Sequence, residues 1–435
     1  CFGIPLPPLD DAPALLAAFN AELAEFRRLT ADRSLADLEH LPECADPEHR
    51  AVMEILSAMS DASIFTNFPL FSLISSIGAT RSVRMGNGGL SPMMYSLMSI
   101  ALIAHHQAYS EIRPLSSAYL SLIRRPGFTP YHFGRCMAYH VWNINHWVEP
   151  LETSLPMNED SAAASRKAHN IMYATYQIDS RLWLQILLGR SMDEIVESGD
   201  QLIKTCALNN LPFVVSLGAP TVAAAHALRG DTPAMDDLNG CGFDESAFLS
   251  QWGELSIVEN GWRIAKITVC GLAGDHTRVL QLCEGIAQTY PVTYPLNLEW
   301  HFWHGVAAAT LLRNEASSPE SAAHSAVLAD EIHYFDFIHR HGHAPNVEAR
   351  LRLLQAERAR GDGHPDAALP LYRAAAHSAA GQRFTLLAGY CHERLADFQL
   401  EIRQFEDSRR SLETALESYR DCQANGLLPR IQGKL

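Results

Sequence analysis

The sequence has no block of clustered lysine and arginine, and its formal net charge is −15. That balance argues against a nucleic-acid partner, since binding a polyanion draws on clustered cations to displace counterions. The nine cysteines, at 1, 44, 136, 206, 241, 270, 283, 391 and 422, form no CxxC pair and are odd in number. Neither a zinc knuckle nor a disulfide framework is indicated; free, mostly buried thiols in a reducing cytoplasmic compartment are expected. Long apolar runs are also missing. The longest, MMYSLMSIALIA at 93–104, is twelve residues with serines inside, too short for membrane insertion and suited to a buried helix. No charged segment followed by an apolar run opens the chain, so no signal peptide is read, and the start on Cys1 leads to the expectation of a longer parent polypeptide. Absent as well are GxxxxGK[ST], HRD, DFG, GxSxG and a Gly-rich ATP lid, the parts on which phosphoryl and acyl transfer are most often built.

What is present is helical. The 435 residues, 47% apolar and 19% charged, exceed the size at which one compact core keeps growing, so several domains or an elongated array are expected. DDAPALLAAFNAELAEFRRLT (10–30) opens with Asp10, Asp11 and Pro13 and places Leu15, Leu16, Phe19, Leu23 and Phe26 at amphipathic helical spacing. Similar segments are predicted near 47–59, 68–85, 92–107, 131–147, 160–188, 192–208, 213–228, 252–272, 276–288, 299–313, 319–341, 346–360, 366–379, 384–402 and 405–423. Strand alternation is almost absent, so the expected fold class is all-α.

A longer period lies on top of this pattern. Helices are expected to stop at Gly189, Gly230, Gly274 and Gly361, at intervals of 41, 44 and 87 residues, because the position after a helix favours a left-handed backbone. The skipped unit would turn near LLRNEASSPES (311–321) at Asn314 and Pro319. A two-helix repeat of this length is the signature of an α-solenoid, in which hairpins bury their apolar faces on one another. Ala368, Tyr372 and Ala375, then Ala415, Tyr419 and Cys422, share a small–aromatic–small rhythm expected to pack adjacent helices as in tetratricopeptide repeats. The expected organisation is an N-terminal helical part, 1–156, continuous with C-terminal repeats, 157–435.

Several stretches are distinctive together: FGIPLPPLDD, RSLADLEHLPECADPEHRAVMEIL (33–56), DASIFTNFPLFSLI (61–74), NINHWVEPLETSLP (143–156), APNVEARLRLLQAERARGDG and LAGYCHERLADF. With them the chain resembles, nearly end to end, the tetratricopeptide-like helical middle region of large multidomain signalling kinases. The resemblance implies a serine/threonine-kinase-like domain and an AAA/STAND ATPase upstream, and GAF or PAS sensors and a histidine kinase downstream. It implies further that this chain is their non-catalytic scaffold, not an enzyme, with no cofactor and with other domains of the same polypeptide, or a protein or peptide, as partners. One departure concerns the end: Tyr419 is followed by RDCQANGLLPR where the family commonly closes on an aromatic-Gly-Ala, which puts the docking of the last helix in doubt.

HYFDFIHRHGHAP (333–345) carries four histidines, and Asp336, His339 and His343 would share a helix face if the helix continued. Gly342 and Pro345 end it, so a solvated helix end is expected and no metal ligand is assigned. His392 in CHERLAD opens like a phosphoacceptor box but lacks the basic-polar-Pro sequel. RMGNGGL (84–90) reads as an interhelical turn, without the strand that a phosphate cradle follows. His105 and His106, which follow the apolar helix, and the group Trp142, Asn143, Asn145, His146 and Trp147 read as a buried hydrogen-bonded knot or, alternatively, as a pocket for a small effector that gates an adjoining ATPase. A metal-dependent enzyme is the weakest alternative.

Overall fold

The computed structural model describes residues 4–126, 128–286, 293–314, 318–342 and 344–435. Among them the protein is all-α: helices follow one another, no strand forms, and backbone pairing is limited to isolated bridges at Glu43–Asn87 and Gly240–Phe243. No described helix is long and apolar enough to cross a membrane. The contacts divide the chain into two compact units. Unit 1 holds residues 1–148 and 157–173, and unit 2 holds 149–156 and 174–435.

Unit 1 is built on α1 (Ala12–Leu29), α2 (Pro47–Thr66), α3 (Phe68–Met85), α4 (Ser91–His106), α5 (Tyr109–Ile123), α6 (Pro130–Asn143) and the single turn α7 (Asn145–Val148). The Asp11 side chain accepts from Ala14 N at 2.9 Å, and Leu15, Phe19, Leu23 and Phe26 are the buried stripe of α1, as the spacing predicts. Asp46 caps α2 and Asn67 caps α3 in the same way. Every residue of α4 from Ser91 to Ile103 is buried, with α3, α5 and α6 packed around it. The twelve-residue apolar run is therefore the centre of a core. The turn before it depends on Gly86, at φ 96°, with Asn87 N donating to Pro42 O and Cys44 N to Asn87 O.

The first change of unit follows α7, and the other two fall inside α8 (Ser154–Lys167) and α9 (Ile171–Leu188). Unit 2 continues with α10 (Met192–Asn209), α11 (Pro212–Arg229), α12 (Glu245–Trp252), α13 (Ser256–Ala273), α14 (His276–Glu284), α15 (Asn297–Asn314) and α16 (Ser321–His341). It finishes with α17 (Glu348–Gly361), α18 (Pro365–Gly381), α19 (Thr385–Glu401), α20 (Phe405–Asp421) and α21 (Leu428–Lys434). From α17 to α20 each helix packs on the next, the succession of hairpins that the period predicts. Yet the unit also closes on itself: Met192 N donates to Cys422 O at 3.0 Å, and α11 packs on the turn before α21. A strictly linear array has only neighbour contacts.

Several boundaries differ from the sequence reading. The segment 160–188 is two helices, because His169 turns left-handed at φ 56°. The segment 131–147 breaks between Asn143 and Asn145, and a separate α12 precedes α13. α5 and α21 were not expected at all. α5 carries Pro114 inside its first turns, which masks the helical pattern. Gly189, Gly230 and Gly274 adopt positive φ as expected, but Gly361 is the last residue of α17 and the left-handed position is Gly363. The segment 276–288 is helical to Glu284, where Gly285 caps α14, and its last two residues, like 315–317 in the expected turn after Asn314, lie outside the described residues. The helix expected last, α20, packs on α19, and α21 docks after it: Ile431 is fully buried, Arg430 donates to Glu393 Oε2 at 2.6 Å and to Leu272 O, and Lys434 Nζ lies 2.9 Å from Glu393 Oε1.

Candidate functional site

In unit 1 the candidate knot sits at the end of α6. Thr129 caps that helix, Pro130 starts it, and Gly134, where an added Cβ would meet Ser165 Oγ at 2.5 Å, accepts at its carbonyl from Ser161 Oγ at 2.7 Å. Asn143, Asn145, His146 and Trp147 are at most 1% exposed and Trp142 is 8% exposed. Trp147 packs against Tyr109 at 5.2 Å and against the His146 ring at 4.3 Å. His140 organises the polar part. Its Nε2–H donates to Asn145 Oδ1 at 3.1 Å, leaving Nδ1 to accept from Tyr119 OH at 2.6 Å. Burial pushes the His140 pKa down to about 4, with the Asn145 hydrogen bond acting the other way, so the imidazole is neutral.

A second group, not singled out in the sequence, adjoins Trp142. Arg135 Nη2 donates to Asp61 Oδ2 at 2.5 Å, and Tyr139 and Tyr173 donate to Asp61 Oδ1 at 3.0 and 3.2 Å. The Tyr173 ring stacks on Trp142 at 5.9 Å. Burial pushes both tyrosine pKa values up, so near neutrality they serve as hydrogen-bond donors rather than bases. The Asp61 side chain is 34% exposed, which puts one edge of the group within reach of solvent. The four residues come from three helices far apart in sequence, α2, α6 and α9; only Arg135 and Tyr139 share one, and their spacing does not announce the partners on the other two.

In unit 2, Ala368, Tyr372, Ala375, Ala415 and Tyr419 are fully buried and Cys422 is 1% exposed. Tyr372 packs on Phe398 at 5.1 Å. Tyr419 lies against Gly389, where an added Cβ would meet its ring at 2.7 Å, and its hydroxyl donates to Glu393 at 3.1 Å. Buried charges complete these interfaces. Glu357 is held by Arg313 and Arg394, both at 2.8 Å, and Glu393 by Arg430 and Lys434.

The histidine-rich stretch is the end of α16. Asp336 pairs with Arg340 at 2.8 Å, and His333 and His341 are exposed; His343 lies outside the described residues. Chemistry gathers one turn earlier. Glu331, 5% exposed, accepts from His301 Nδ1 at 2.6 Å and from His304 Nδ1 at 2.7 Å, one imidazole on each oxygen. The His301 ring is stacked between Trp300 at 3.7 Å and Tyr334 at 3.8 Å. Burial alone would raise the Glu331 pKa, but the two imidazole hydrogen bonds hold it below the usual carboxylate range. The i,i+3 histidines in WHFWHG (300–305) were the available signal. Their partner 27 to 30 residues away was not. His392, in α19, is half-buried and its pKa is lowered by burial.

Compared with protein-family models and with curated proteins, the chain matches none.

Proposed function

We propose that this chain is a non-catalytic helical-repeat module of a larger signal-transduction protein, in which it holds neighbouring domains or a partner protein. The reading is supported by the run of hairpins from α17 to α20. There the small and aromatic repeat residues fill the helix interfaces, and the buried carboxylates Glu357 and Glu393 are matched by arginines and a lysine of adjacent helices. Core charges are thus committed to the stacking of helices, so a shift in that stacking is the form in which such a module transmits state. By the resemblance, the neighbours would be an ATPase before it and a sensor or histidine kinase after it.

Sequencing the reading frame on both sides of these codons tests the context, and assaying the purified chain for ATP turnover tests the role. A phosphate-loop ATPase upstream, a sensor or kinase downstream and no turnover by the chain itself are expected. Steady ATP hydrolysis by the pure chain would overturn the reading.

A second reading, a site for a small effector beside Trp142, draws support from the stacked Trp142–Tyr173 pair adjoining the part-exposed Asp61. A ligand that binds only the folded chain raises its melting temperature, so a thermal-shift screen with a metabolite panel tests it. No shift from any member would remove it.

A further inference from the structure

The loop between α11 and α12 brings an imidazole, a carboxylate and a thiol together. We propose that His226, Asp231 and Cys241 form a binding site for a divalent cation of borderline softness, Zn²⁺ foremost, which clamps this loop to the end of α11. His226 lies in the last turn of α11, Asp231 follows the left-handed Gly230 (φ 90°), and Cys241 sits between Gly240 and Gly242. One ligand atom from each residue, a ring nitrogen of His226, an Asp231 carboxylate oxygen and Cys241 Sγ, falls within 4.8 Å of the other two, and His226 Nδ1 is 2.8 Å from Asp231 Oδ2. Ligand atoms of a tetrahedral zinc site stand roughly 3.5 Å apart, given bonds of about 2.0–2.3 Å, so small side-chain movements suffice.

The donor set selects the ion. Calcium and magnesium take oxygen ligands, whereas nitrogen, oxygen and sulfur together suit Zn²⁺ or its spectroscopic surrogate Co²⁺. Three protein ligands leave a fourth position to water or to an incoming ligand. Binding exchanges the Cys241 thiol proton for the metal, with that proton released to buffer, so affinity rises with pH.

The loop is already shaped without the ion. Gly240 and Phe243 exchange backbone hydrogen bonds at 3.0 and 2.9 Å, Asn239 Oδ1 accepts from Glu245 N at 2.9 Å, and Leu238 is fully buried. Cys241 and Asp231 are exposed, so a cation enters directly from solvent. The competitor is Arg229. Its Nε donates to Asp231 Oδ2 at 2.6 Å and its Nη1 to Asp193 Oδ1 at 2.8 Å. Burial raises the Asp231 pKa, but its hydrogen bonds from Arg229 and His226 bring it below the usual value. Metal binding must take the carboxylate from Arg229, for which Asp193 remains as counter-ion.

The reduced, metal-stripped full chain is titrated with Zn²⁺ against a chromophoric chelator, and separately with Co²⁺. One equivalent is expected, with a thiolate-to-cobalt charge-transfer band. C241S abolishes the band, and C241S and H226A each weaken binding at least about tenfold. R229Q, which removes no ligand and frees Asp231, tightens binding several-fold. In the unsubstituted chain Zn²⁺ protects Cys241 from alkylation, a readout that does not depend on any variant folding. No uptake by the full chain, or uptake unchanged in both C241S and H226A, would overturn the site.

Discussion

Two glycines of α13 give a test of the unit 2 core in which one substitution has opposite signs ten residues apart. At Gly261 an added Cβ meets nothing within 4 Å, whereas at Gly271 it would stand 2.5 Å from Trp303 Cδ2 and 2.9 Å from Cζ3. The indole has little room to yield: Trp303 is 3% exposed, packs on Tyr390 at 4.8 Å, and donates from Nε1 to Glu299 Oε2 at 3.2 Å. Replacing a helical glycine by alanine gains about 0.5–1 kcal/mol through the unfolded chain and helix propensity. Overpacking a well-filled core costs about 1–3 kcal/mol. Gly261→Ala should therefore stabilise by about 0.5–1 kcal/mol, and Gly271→Ala should destabilise by roughly 1–2 kcal/mol after the propensity gain is subtracted. Urea unfolding followed by far-ultraviolet circular dichroism reads this as midpoints displaced in opposite directions at constant slope. A Gly271→Ala chain as stable as the parent would refute the packing assigned to Trp303.

Glu357→Gln strands the buried guanidinium of Arg394 and the part-buried one of Arg313 and should destabilise by about 3–5 kcal/mol, read as a lowered urea midpoint. Burial alone would raise the Glu357 pKa, but Arg394 and then Arg313 hold it well below 4.5. Its stabilisation is therefore present above that pH and is lost progressively on acidification below it. His140 acts in a higher window. With a folded pKa of about 4 against 6.5, its contribution is full above pH 6.5 and falls by about 3 kcal/mol as the pH drops to 4. Hydrogen exchange of α6 amides at pH 7 and pH 5 should show faster opening at the lower value. A thiol reagent on the native chain should modify the exposed Cys241 before the buried Cys136, Cys206, Cys270, Cys283, Cys391 and Cys422, whose pKa values burial pushes up. Peptide mass mapping of the first-labelled site checks it.

Helix class, the central apolar helix and the packing residues of the last hairpins were legible in sequence because each rests on spacing within about twenty residues. Failures came where a local signal was absent or misleading. Pro114 concealed α5, and His169 takes a left-handed turn that a non-glycine residue rarely announces. The pairing of Glu331 with His301 and His304, and the gathering of Asp61, Arg135, Tyr139 and Tyr173, depend on which helices lie side by side. That is decided by the whole core, and one sequence does not print it. The four histidines of 333–345 drew notice by number, while the hydrogen-bonded ones sit in the preceding helix.

The closure of unit 2 sets an order of events during synthesis. Met192 and Ser191 meet Cys422 and Gln423, partners 230 or more residues apart. The first helices of the unit therefore leave the ribosome long before the residues that seal them exist. Until then α10 and α11 are covered by each other and, once it is made, by α13, but the surface that the last helices seal stays open, and the growing chain carries exposed apolar surface that attracts chaperones or other nascent chains. A premature stop after α19 would leave more than a shortened stack, because the opposite end of the unit would lose its cover as well.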